Sequence, residues 1–222
     1  MPRRSYDQFC AVARALDAVG ERWTLLIVRE LLAGPRRYTD LHADLPGVST
    51  DVLAARLKEM EGDGLVERRR LPRPATGSVY ELTRHGRGLL PVLSALAEWA
   101  GDSLEERRPN DAFRAHWFAI PLMAVLGRCA GTVAGIVEVR INDGTFRLRL
   151  DPSGGPAHTD DPAEVPSAKV SMDAATASSL VSGRISPAEA VKDGAMEVRG
   201  DSRLAEALRT AQVPAETDSA RC

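Results

Sequence analysis

The chain has 222 residues, a hydrophobic fraction of 44% and a formal net charge of −2. That length fits two domains of about 100 residues each, with enough apolar content for a core in both. It excludes a wholly basic nucleic-acid binder, and no run approaches the roughly 18 apolar residues of a membrane helix.

Residues 1–7 are basic but no apolar run follows, so no secretory leader is expected. Phe9, Val12, Ala13, Leu16 and Val19 recur at helical spacing and predict an amphipathic helix over 7–19, stopped by Gly20. Trp23, Leu26, Ile27 and Leu31 predict a second over 22–33, stopped by Gly34-Pro35. Thr39 is placed to cap a short helix over 40–45, and Ser49 or Thr50 a longer one running to about residue 63, with Gly64 at its end. The period then changes to that of two short strands, 66–71 and 78–82, around a loop with two prolines and a glycine. Thr83 caps a further helix that Pro91 should kink or split, because proline cannot donate to the carbonyl of Arg87. Its apolar positions form two stripes, more than one small core needs. The surplus, Leu89, Leu93, Leu96, Trp99 and Leu104, predicts a homodimer surface. The charged stretch 105–111 is the domain boundary, giving 1–109 and 110–222.

The second half opens with an apolar helix over 113–129. Strands over 133–141 and 145–150 flank Asn142-Asp143-Gly144, a hairpin turn signal. A proline-rich polar loop over 151–166 precedes a strand over 168–172 and a helix over 174–182. Ser186-Pro187-Ala188-Glu189 has capping-box spacing, a strand covers 196–199, and Asp201 starts a last helix. The pattern predicts an α+β fold for both halves.

Three helices, two strands joined by a basic loop, then a helix: this is the order of a winged helix-turn-helix, a double-stranded DNA binder. In the 49–63 helix Leu53, Leu57 and Met60 form the anchoring side, while Asp51, Ala55 and Lys58 point away from it. Ser49, Thr50 and the helix N-terminus can donate to phosphate, and Arg56 and Lys58 are candidates for base or phosphate contact. Arg68, Arg69, Arg70 and Arg73 put four guanidinium groups into six residues, with Thr76 in the same loop; strand alternation sends Arg69 to the opposite face from Arg68 and Arg70. Arg36, Arg37 and Thr39 are further backbone contacts. Residues 1–109 hold 17 Lys and Arg against 16 Asp and Glu, the remainder 12 against 15, so a local patch matters more than the total.

Cys10 to Leu16, Gly20-Glu21-Arg22-Trp23-Thr24-Leu25-Leu26-Ile27, Gly34 to Leu41, Gly47-Val48-Ser49, Leu53 with Arg56-Leu57, Gly64-Leu65-Val66, Val79 to Thr83, Leu90-Pro91 and Leu96 with Trp99 together resemble the HxlR-type regulators, relatives of the MarR group. The resemblance covers 7–101. It implies a homodimer joined through terminal helices and bound to an inverted repeat. Glu21 stands where lysine is usual, and the wing run 72–76 departs from the Tyr/Pro-containing pattern. Some members sense oxidants or electrophiles through a cysteine near the first helix, and Cys10 occupies that position, which requires an exposed thiol of lowered pKa.

Leu180 to Gly194 followed by Met196 to Asp201 is similar to the sterol-carrier-protein-like fold over 132–212, which implies an apolar tunnel and a small hydrophobic ligand. The chain ends Ala220-Arg221-Cys222, not a peroxisomal address.

No enzyme is expected. His42, His85, His116 and His158 are scattered, and no phosphate loop, serine elbow or HExxH occurs. Cys10, Cys129 and Cys222 show no CxxC or Cys/His spacing, so neither metal nor cofactor is expected and the thiols should be reduced. A regulator in the cytoplasm, associated with the nucleoid, is the leading expectation. The alternative is a carrier of lipids or small hydrophobic molecules with a non-regulatory winged helix.

Overall fold

The computed structural model describes residues 5–72, 74, 76–104, 108–151, 158–159 and 164–210. The chain divides into two compact units, Met1–Leu93 and Ser94–Cys222. This division falls inside a helix rather than in the charged stretch 105–111. Residues after the helix belong to the second unit: the Ser178 hydroxyl donates to the Leu104 carbonyl at 2.6 Å.

The first unit runs α1 (Ala11–Val19), α2 (Thr24–Leu31), β1 (Arg36–Arg37), α3 (Tyr38–Asp44), α4 (Thr50–Gly62), β2 (Val66–Arg70), β3 (Ser78–Leu82), α5 (Arg84–Arg87) and the start of α6 (Leu90–Trp99). Its core is built from Ile27, Val28, Leu41, Leu45, Leu53, Leu57, Met60, Leu65 and Leu82. Helix α2 begins two residues later than predicted because Trp23 takes a left-handed conformation, φ +80°, which no helix accommodates. The cap of α3 also differs. Asp40 accepts from the Arg37 amide at 3.3 Å, and Thr39 lies inside the first turn. Ser49 caps α4 by accepting from the Val52 amide at 3.3 Å.

Strand β1 was not expected. It pairs with β3 and makes a three-stranded sheet of order β1-β3-β2. The split predicted at Pro91 is present: α5 ends at Arg87 and α6 begins at Leu90. Thr83 accepts from the Gly86 amide at 3.1 Å and donates to the Gly64 carbonyl at 2.5 Å, tying α5 to the end of α4. Gly86 has no room for a side chain, since a Cβ there would sit 2.1 Å from the Leu65 carbonyl oxygen.

The second unit carries a 3-10 turn (Ala115–Phe118), α7 (Ala119–Ala130), β4 (Gly135–Ile141), β5 (Gly144–Leu150), β6 (His158–Thr159), β7 (Ala168–Met172), α8 (Ala174–Val181), α9 (Pro187–Lys192), β8 (Met196–Arg199) and α10 (Arg203–Thr210). The sheet order is β6-β5-β4-β7-β8, with β4 and β7 parallel and the other pairs antiparallel. Asn142, φ +51°, makes the β4–β5 turn. Val137, Val139, Phe146, Leu148 and Val170 alternate inward and join Leu122 and Leu126 of α7 and Leu204 and Leu208 of α10 in one buried cluster. The opposite face is polar, with Glu138 paired to Lys169 at 3.0 Å and to Arg147 at 3.6 Å. Ser186 and Glu189 form the predicted capping box. Among the described residues no helix is long and apolar enough to cross a membrane.

Replacing Gly86 with alanine pushes a methyl group into backbone that cannot yield. Urea denaturation is expected to show a loss of about 1–3 kcal/mol, the range for overpacked sites. An unchanged midpoint would mean that the α5 junction is soft.

Candidate DNA-binding surface

Helix α4 is held on one side and free on the other. Leu53, Leu57 and Met60 are each no more than 1% exposed. Asp51, Ala55, Lys58 and Gly62 follow at spacings of four, three and four residues, one stripe on a 3.6-residue helix, and all four are exposed. Ser49 and Thr50 stand exposed at its start, where the Tyr38 hydroxyl donates to the Thr50 carbonyl at 2.7 Å. Arg56 does not join this face. Its guanidinium turns toward the first two helices, lies 3.5 Å from Glu21 and also pairs with Glu59, and its side chain is 16% exposed. The departure noted at Glu21 therefore has a structural consequence: a carboxylate there draws the α4 arginine inward. A groove of about 800 Å³ lies beside this pair, lined by Leu16, Asp17, Glu21, Thr24, Arg56 and Met60, and the sequence carried no sign of it.

The wing sorts its arginines by register. Arg68 is opposite Tyr80, Arg69 opposite Val79 and Arg70 opposite Ser78. Arg68 lies over the Tyr80 ring at 5.9 Å, a cation–π contact that holds it at the sheet surface. Arg69 pairs with Glu81 at 2.5 Å. Arg70 is exposed and has no ion pair among the described residues. Arg73 lies outside the described residues, and Thr76 is exposed in the loop. Because β1 pairs with β3, Arg36 is also opposite Tyr80 and Arg37 opposite Val79, so Arg36 and Arg68 flank one tyrosine. Thr39 is exposed beside them, donating to Asp40 at 3.4 Å.

The expected dimer residues divide. Leu96, Trp99 and Leu104 are exposed, Trp99 at 85%, and Leu89 is half-buried. Leu93 is 8% exposed and belongs to the core, so it is not available to a partner: α6 rotates it inward and presents Val92 instead. Phe9, Val12 and Leu16 are exposed as well, although their spacing read as core; of that stripe only Ala13 and Val19 are buried.

Cys10 is exposed at the start of α1, where the Ala13 and then the Val12 backbone N–H groups favour the thiolate and lower its pKa. Cys129 is half-buried, and desolvation raises its pKa against the smaller pull of Arg128. Cys222 lies outside the described residues.

Residues 18–108 match the HxlR-like helix-turn-helix family, and residues 127–212 match the SCP-2 sterol transfer family. The chain is 38% identical over 92 residues to the uncharacterized HTH-type transcriptional regulator YvaP of Bacillus subtilis, covering 41% of this chain and 85% of that one. It is 36% identical over 91 residues to the HTH-type transcriptional regulator YodB of the same organism, covering 41% of this chain and 81% of that one. The solved reduced form of YodB aligns at 33% identity over 47% of this chain and 100% of that one, with a TM-score of 0.39.

In a chain bearing Cys222→Ser, alkylation rates followed against pH should place the Cys10 midpoint below an ordinary thiol and the Cys129 midpoint above it. The reverse order would contradict the amide contacts at the start of α1.

Proposed function

We propose that this chain, which belongs to the HxlR-like helix-turn-helix family and carries an SCP-2-type domain, is a non-enzymatic transcription regulator that binds double-stranded DNA as a homodimer. Each protomer inserts α4 into the major groove of one half of an inverted repeat, and the wing and β1 contact phosphates alongside. The observation that carries this reading is the stripe of Asp51, Ala55 and Lys58, exposed directly opposite the buried Leu53, Leu57 and Met60. The small side chain of Ala55 at the middle of the stripe lets the helix axis approach the base edges. By register Arg36, Arg68 and Arg70 share one face of a small sheet in the same unit, which suits them to the backbone of a single duplex, whereas Arg37 falls on the other face with Arg69.

The homodimer reading draws on the uncovered apolar side chains: Phe9 just before α1, Val12 and Leu16 on α1, and Val92, Leu96 and Trp99 on α6. Val12 and Leu16 lie one turn apart, as do Val92, Leu96 and Trp99 in succession, so each set is a contiguous stripe of the kind that marks an interaction surface. Cys10 fits the part of an oxidant- or electrophile-responsive thiol, being exposed and lowered in pKa. The match of residues 127–212 favours a small hydrophobic effector for the second unit, in a protein that acts at the nucleoid in the cytoplasm. The same match is what favours the carrier alternative. DNA binding separates the two: a regulator discriminates its site from random sequence by about 10³-fold or more.

Binding of the full chain to the DNA upstream of its own coding sequence should weaken with salt. Lys58→Ala and Arg70→Ala should each lower the log–log slope by about 0.9, one phosphate contact apiece. Slopes unchanged in both variants would remove α4 and the wing from the interface.

A further inference from the structure

A groove-reading helix most often specifies guanine with arginine. Here that option is closed, because the one arginine of α4 turns back to Glu21 and Glu59. What remains at the end of the stripe nearest the helix start is Asp51. It is exposed and makes no hydrogen bond or ion pair among the described residues. The next residue along the stripe is Ala55, and Val52 stands on the flank at 42% exposure with its methyl groups in solvent.

A carboxylate brought to a duplex is repelled by phosphate and accepts hydrogen bonds only. In the major groove, exocyclic amino groups are the donors, and cytosine N4 is the one that carboxylates read. Adenine also offers an amino group, but its N7 beside it is an acceptor and repels a carboxylate. The methyl groups of Ala55 and Val52 complement the thymine C5-methyl group. We propose that Asp51 reads a cytosine in each half-site by accepting from its N4 amino group, with a neighbouring thymine read through Ala55 and Val52. This rests on α4 being the groove helix.

A first-turn carboxylate also stabilises a helix N-terminus, and a purely structural Asp51 would do no more than that. The two roles separate by base preference. Random-sequence selection with the full chain should enrich a two-fold symmetric consensus containing a cytosine in each half. Asp51→Ala should lose about tenfold in preference at that position and leave the others intact. Asp51→Asn should shift the preferred base from cytosine to adenine, since an amide pairs with N6 and N7 together, and should raise affinity for random DNA by removing a repelled charge. Circular dichroism checks that both variants fold. A consensus from the parent chain that Asp51→Ala reproduces at every position overturns the assignment while leaving DNA binding standing. Failure of the parent to enrich any sequence overturns both.

Discussion

A helix offered to a groove must be gripped from behind, and the anchoring of α4 is the constraint on which the first unit depends. Leu53, Leu57 and Met60 supply that grip at 1% exposure or less. Fully burying a side chain of this kind contributes about 1.5–3 kcal/mol, so the three together hold the helix in place. Ser49 fixes where the helix begins and therefore which residues fall on that bare face. Thr83 and the closely packed Gly86 fix its other end, through Gly64 and Leu65. Any slip of α4 by one residue would rotate the stripe by about 100° and bring a different set of side chains outward.

The arginines show how neighbours decide what a charge can do. Seven guanidinium groups at positions 36, 37, 56, 68, 69, 70 and 73 look alike in the sequence. In the fold Arg56 is drawn in by Glu21 and Glu59, Arg69 is neutralised by Glu81, and Arg68 is steadied over Tyr80. Arg70 has no ion pair among the described residues. A chain of net charge −2 can thus present cations on one sheet, with Glu81 engaged by Arg69 and Glu21 and Glu59 by Arg56. Exposed ion pairs of this kind add little stability, so their effect here is to select which cations stay free.

Local chemistry was legible from the sequence wherever a residue acts on its own neighbours. Ser49, Thr83 and the Ser186–Glu189 pair cap the predicted helices, Asn142 makes the predicted turn, and Pro91 splits the predicted helix. What the sequence concealed depends on distant partners. Strand β1 is two residues long and exists only because β3 lies beside it. Leu93 and Phe9 share an apolar spacing with their neighbours, yet packing buries one and leaves the other bare. Arg56 read as a groove contact although Glu59, one turn along the same helix, was a visible partner; the pull of Glu21, 35 residues away, was not.

Hydroxyl-radical and methylation footprinting of the full chain on its upstream DNA tests the central claim most directly. An anchored helix from each of two protomers should protect two major-groove segments related by two-fold symmetry, about 10 base pairs apart or a multiple of that. Featureless protection along the whole fragment, or one segment without a symmetric mate, would contradict it.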